Sequence, residues 1–185
     1  MSEFDVHTTG TAPAESVETL EKIIEKFGFL PNLLGVMAES PAALKGYASL
    51  SGLVEQSSFA PDEQQMMLLT VSRINGCHYC VAAHTLGGKR AGLDEAVIDA
   101  IRNDQAIADP RKAALYAFTK AMVEKRGWVN DDLGAFLGAG FSKAQALEVV
   151  LATAMKTLSN YINHIAETPL NEPMKTAAWS GPKAA

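Results

Sequence analysis

Apolar residues along the chain recur at three- and four-residue intervals, and no stretch alternates apolar with polar over a β-branched run, so the pattern predicts helices and no strands. Leu20, Ile23, Ile24 and Phe27 form the first such face, and Gly28 follows as a helix stop. A short apolar turn is expected after Pro31. Ser40-Pro41 joins an N-cap residue to a proline at the first helical position, ahead of the face Leu44, Tyr47, Leu50 and Val54. Pro61 opens the next helix with Asp62 and Glu63 in its first turn. Met66, Met67, Thr70, Val71 and Ile74 line its inner side until Asn75-Gly76 interrupts it. A new helix starts near Cys77 and runs through His84 toward Arg90, with Gly92 beyond its end. Asp94 to Arg102 is a shorter helix, and Asp109-Pro110 begins another that Gly127 ends. Ser142 and Gln145 have capping-box spacing before the long apolar run from Ala146 to Ile165, which Thr168-Pro169 ends. The fold class is all-α, a compact multi-helix domain.

One internal echo is visible. Laying Phe59–Tyr79 on Phe141–Tyr161 matches Phe59 with Phe141, Glu63 with Gln145, Leu69 with Leu151 and Tyr79 with Tyr161. A duplicated helical unit and chance similarity between two amphipathic helices both account for it, and only the first copy carries thiols.

At 185 residues the chain is long enough to bury a real core as one domain spanning 1–185 without a disulfide or metal staple. Hydrophobic residues at 48% and charged residues at 20% fit a globular chain rather than a disordered one. The net charge of −5, with no basic cluster, lacks the footprint that phosphate backbones require, so no nucleic-acid partner is expected. Met1 to Pro13 is polar and acidic, which argues against a signal peptide or membrane anchor, and a cytoplasmic location is expected. Met37, Met66, Met67, Met122 and Met155 sit among apolar neighbours and read as core filling.

The two cysteines, Cys77 and Cys80, are too close in sequence to staple a long loop, and their proximity points to chemistry. Cys77, Cys80 and His84 fall at i, i+3 and i+7, spacings that share one helix face. With Asn75-Gly76 breaking the preceding helix, Cys77 lies in the first turn of the next, where free N–H groups and the helix dipole favour a thiolate. His84, four residues beyond Cys80, is placed to accept its proton or pair with its thiolate. A thiolate that attacks a peroxide becomes a sulfenic acid, and a second thiol nearby condenses with it to a disulfide before irreversible oxidation. A dithiol reductant must then restore both thiols.

Other readings of these residues stay open. Two cysteines and a histidine can contribute to a zinc site, although a structural site needs four ligands and no compact cluster supplies the rest. Free cysteines are also among the most buried residues and can be inert core. His78, about 100° around the helix from Cys77, reads as surface or interface.

The segment from Ser72 through Cys77, Cys80 and His84 to Thr85 resembles the signature of the alkylhydroperoxidase D-like branch of the carboxymuconolactone decarboxylase superfamily. Gly28-Phe29-Leu30-Pro31-Asn32-Leu33-Leu34 and Ser40-Pro41 resemble the N-terminal region of its uncharacterised peroxidase-related members, and Asn163-His164 and Thr168-Pro169-Leu170 extend the likeness toward the end. The resemblance implies an all-helical fold, assembly into trimers or hexamers, and thiol-dependent reduction of hydroperoxides, with electrons from a lipoyl-bearing or other dithiol protein. It makes Cys80 the peroxide-attacking thiol, Cys77 its resolving partner and His84 part of a proton relay, with no metal or other cofactor. There is one departure. The family's relay commonly has a glutamate twelve residues before the first cysteine, where this chain has Gln65. An amide can orient His84 but cannot carry charge or accept a proton, and Glu63 points to the opposite side of the helix. His164 is a second candidate for the relay, set against a structural role on the last helix. Two further functions remain: a redox-sensing or binding module without turnover, and a cofactor-independent decarboxylase of the same superfamily.

Overall fold

The computed structural model describes residues 3–181, and among these every regular element is helical. The helices are α1 (Ala14–Phe27), α2 (Asn32–Met37), α3 (Pro41–Glu55), α4 (Pro61–Ile74), α5 (His78–Arg90), α6 (Glu95–Asn103), α7 (Pro110–Glu124), α8 (Asn130–Gly138) and α9 (Lys143–Ala166), followed by a 3-10 turn at Glu172–Ala177. The caps are those the sequence announces. Ser40, Asp94, Asp109 and Ser142 each accept a backbone N–H at the start of α3, α6, α7 and α9, and the Gln145 side chain returns the bond to Ser142. Gly28 ends α1 in the left-handed conformation, with φ 76°.

Three elements differ from the sequence expectation. The segment after Pro31 is a short helix, α2, because Leu33, Leu34, Val36 and Met37 bury together. The stretch after Gly127 forms α8, whose Phe136 is its one fully buried large side chain. The segment beyond Pro169 folds back as the 3-10 turn, whose Met174 and Ala177 bury beside the cysteines. The two halves of the internal echo also differ. The first copy breaks at Asn75-Gly76 between α4 and α5, whereas the second runs without interruption as α9.

Helix α4 is the central element, with Met66 through Ser72 buried on every side and α5, α7 and α9 packed around it. Two apolar clusters result. The larger joins α4, α6, α7, α8 and α9, and includes Phe136 stacked on Phe118 and on Phe141 with ring centroids 4.3 Å apart in each case. Arg111 lies 3.8 Å over the outer face of Phe141, a cation–π contact that closes the stack. The smaller cluster gathers α1, α2, α3, α5 and the 3-10 turn, and holds both cysteines. Each large apolar side chain fully buried in these clusters contributes about 1.5–3 kcal/mol, which outweighs the weak intrinsic stability of short helices such as α2. None of the helices formed by the described residues is long and apolar enough to cross a membrane.

Candidate active site

The Asn75-Gly76 break sets the cysteines. Gly76 takes φ 65°, accessible to glycine at little cost, and turns the chain so that Cys77 becomes the N-cap of α5. Cys80 follows one turn later on the inward face. Both are free thiols and almost fully buried, at 0% and 1% exposure. The surrounding segments are tied together by polar contacts. Asn171 Oδ1 accepts from the Tyr79 hydroxyl at 2.7 Å and from Asn32 N–H at 2.9 Å, and Asn32 Nδ2 donates to the Pro169 carbonyl at 2.9 Å. The loop at Leu30–Asn32, the cysteine helix and the chain after α9 are therefore fastened at one point.

Cys80, His84 and Gln65 line a cavity of about 360 Å³ bounded by α1, α3, α4, α5 and α9 and open to solvent beside Lys26 and Arg90; Cys77 is not part of its lining. Its surface is mainly apolar, from Phe27, Leu34, Val54, Leu68 and Met155 among others. Among the polar groups inside it is one that the sequence reading missed. Lys156, on α9, is 1% exposed and acts on the Cys80 sulfur, with no carboxylate in ion-pair range among the described residues. Its signal in the sequence was a positive charge within the Ala146–Ile165 apolar run, at the helical spacing of the buried Ala152, Ser159, Asn160 and Asn163.

The electrostatics divide the two thiols. Burial works against ionising Cys80, but a hydrogen bond from the Cys77 thiol, the Lys156 charge and contacts from Asn160 and Lys156 outweigh it and hold Cys80 down to about 6. Cys77 moves the other way, because its proton is committed to Cys80 and it too is buried. The thiolate expected at Cys77 from the helix dipole is instead favoured one turn further on, at Cys80, where the lysine is. Asn75 Nδ2 donates to Asn160 Oδ1 at 2.9 Å, which turns the Asn160 amide NH₂ toward the sulfur. That NH₂ meets no acceptor at full hydrogen-bond geometry, so its help to Cys80 is a long and weak contact.

His84 Nδ1 donates to Gln65 Oε1 at 3.0 Å, which leaves Nε2 as the acceptor of a neutral ring. Burial, together with the nearby Lys156 charge, holds the imidazole well below its usual range. Gly87 makes the Gln65 position available, since a Cβ there would overlap the amide oxygen. Glu63 lies elsewhere, accepting from Ala60 N–H at 3.2 Å and from Arg111 at 3.2 Å. His164 lies outside the cavity that Cys80 lines. It borders a second cavity with His78, Asn163 and Glu167, and its ring lies 5.9 Å from that of Tyr161. His78, expected at a surface or interface, is partly buried edge-on against Trp179, with ring centroids 5.2 Å apart. Among the described residues no group of three or more His, Cys, Asp or Glu side chains is arranged to hold a metal ion.

The family model described as the carboxymuconolactone decarboxylase family matches residues 41–122, the segment from α3 through most of α7. No curated protein matches the chain. Among solved structures, an uncharacterized peroxidase-related protein from Ralstonia eutropha JMP134, described as an alkylhydroperoxidase AhpD core, aligns with 22% identity and a TM-score of 0.81 over 94% of each chain. An uncharacterized peroxidase-related protein from Silicibacter sp. TM1040 aligns with 20% identity and a TM-score of 0.79, over 94% of this chain and 93% of that one. A cysteine-to-alanine variant of the debrominase Bmp8, in complex with 2,3,4-tribromopyrrole, aligns with 16% identity and a TM-score of 0.79, over 96% of this chain and 97% of that one. The stretch that carries Cys77, Cys80 and His84 thus lies within the match to the carboxymuconolactone decarboxylase family model, in a chain whose fold is that of the peroxidase-related structures.

Proposed function

We propose that this protein is a thiol peroxidase that reduces hydroperoxides at Cys80 and resolves the product with Cys77. The observation that carries this reading is the division between the two sulfurs. Cys80 borders the cavity with its thiol lowered to about 6, while Cys77 is outside the lining and holds its proton. At neutral pH Cys80 is then mostly thiolate, whereas an ordinary cysteine, with a pKa of about 8.5, is only a few per cent ionised.

The thiolate attacks the terminal oxygen of the hydroperoxide; an S–O bond forms, the O–O bond breaks, and sulfur gives up two electrons. Cys80 becomes a sulfenic acid and an alkoxide leaves, taking up a proton within the site. The Cys77 thiol then displaces water from the sulfenic acid, giving the Cys77–Cys80 disulfide. A dithiol, lipoyl-type or protein-borne, returns both thiols by exchange. His84, neutral and oriented by Gln65, offers Nε2 to a hydroxyl in the cavity. The cycle needs no resident cofactor, since the cysteine pair carries the electrons. Assembly into a trimer or hexamer belongs to the same reading. It is supported by an apolar stripe on the outer face of α9, where Leu147 is 72% exposed, Tyr161 59% and Ile165 67%.

The test is steady-state consumption of cumene hydroperoxide with dihydrolipoamide, comparing wild type, Cys80→Ser and Cys77→Ser. The expected result is turnover in wild type, none in Cys80→Ser, and a single stoichiometric event in Cys77→Ser. Equal rates in wild type and Cys80→Ser would sink the proposal.

A further inference from the structure

We infer that Lys156 is the catalytic acid of this site, delivering a proton to the alkoxide that leaves when the Cys80 thiolate cleaves the O–O bond. The inference rests on the peroxidase reading above and goes beyond it by naming the proton donor.

Four observations lead there. Lys156 and Cys80 line the same cavity, and the ammonium acts on the sulfur, so it lies beside any peroxide positioned for attack. It is 1% exposed, so its ammonium is turned toward the cavity and the sulfur rather than toward bulk water. The other polar groups facing it are poor acids. Tyr47 on α3 is driven up by burial, and Cys77 commits its proton to Cys80. His84 spends its one N–H on Gln65 Oε1, and Gln65 itself has no acidic proton. Lys156 is pushed down by burial and held up chiefly by the Cys80 thiolate, and that support disappears as the sulfur is oxidised, which turns the ammonium into a proton donor at that moment.

Charge balance supplies the fourth argument. The reduced site is a buried thiolate–ammonium pair, and no carboxylate shares in it among the described residues. Oxidation to sulfenic acid or disulfide removes the negative partner. A lysine that stayed charged would be left as an uncompensated ion in an apolar interior, which costs several kcal/mol. Proton transfer avoids this: thiolate, ammonium and ROOH become sulfenic acid, neutral amine and ROH, with every proton and charge accounted for. When a dithiol reduces the disulfide, the proton released as Cys80 returns to thiolate reloads the amine. The site is thus electrically neutral in both redox states.

The test separates proton donation from thiolate stabilisation by the leaving group. Cumene hydroperoxide expels a strongly basic alkoxide that needs an acid, whereas peracetic acid expels a carboxylate that does not. Single-turnover rates are measured for wild type, Lys156→Met and Lys156→Gln, each corrected for its own Cys80 thiolate fraction by absorbance titration. Methionine keeps the apolar volume and removes a buried charge, and glutamine provides a second, polar replacement. The expected result is a loss of about 100-fold or more with cumene hydroperoxide in both variants, against a loss of less than about tenfold with peracetic acid. Equal losses with the two oxidants, or no loss, would overturn the acid role while leaving Cys80 as the nucleophile. A wild-type protein inert to both oxidants would instead remove the peroxidase reading, and this inference with it.

Discussion

The buried Lys156 ammonium of α9 and the sulfur of Cys80 on α5 line one cavity and act on each other electrostatically, and among the described residues no carboxylate forms an ion pair with the lysine. Two helices distant in sequence thereby form one ion pair at the wall of an apolar cavity. The cation that stabilises the thiolate is this lysine, while His84 is held neutral by burial.

The pairing fixes the pH dependence. Cys80 sits below the ordinary thiol range, so its thiolate persists at neutral pH and is lost as pH falls through about 6. Absorbance at the thiolate band should therefore titrate as one group with a midpoint near 6, Cys77 remaining protonated well above it. In Lys156→Met the midpoint should move up by about one to three units, since an opposite charge is removed. An unmoved midpoint would mean that the lysine does not act on the sulfur.

Gln65 orients His84 without adding a charge beside it. Replacing it with glutamate puts a carboxylate where the amide oxygen now accepts from Nδ1. The imidazolium is then favoured, and the His84 pKa should rise by about one to three units in an NMR pH titration. Gly87→Ala should displace the Gln65 amide, because the added methyl overlaps Oε1, and should change the ring tautomer signals of His84 without such a rise.

The site's architecture was only partly legible in the sequence. Local signals are written in the residues that make them, so the Asn75-Gly76 break, the Ser142–Gln145 box and the Cys77–Cys80–His84 stripe were all readable. Helices α2 and α8 lacked such signals because both are short and gain their stability from tertiary burial of residues such as Met37 and Phe136. Lys156 was missed for a different reason. Lysine on a helix usually faces water, and only the packing of α9 on α4 and α5 shows that position 156 points inward.

The aromatic stack should dominate local stability in the larger cluster. Phe136 is 1% exposed and flanked on both faces by Phe118 and Phe141. Phe136→Ala should cost about 3–5 kcal/mol in urea unfolding. A loss under about 1 kcal/mol would show that the neighbouring rings collapse into the vacated space.

The exposed stripe on α9 predicts self-association. Leu147, Val150, Tyr161 and Ile165 fall within one narrow arc of the helix. Light scattering should give a trimer or hexamer for wild type and a smaller species for the pair Leu147→Glu and Ile165→Glu. A wild-type monomer would reject the assembly proposed on this face.

The central claim, that Cys80 attacks and Cys77 resolves, is tested most directly by trapping the intermediate. Cys77→Ser is treated with one equivalent of cumene hydroperoxide in the presence of dimedone and analysed by peptide mass spectrometry. The account predicts a dimedone adduct on Cys80 in this variant, and in wild type a Cys77–Cys80 disulfide with little adduct. Peroxide consumed with Cys80 unmodified, or an adduct on Cys77 in Cys80→Ser formed as fast as the wild-type reaction, would contradict it.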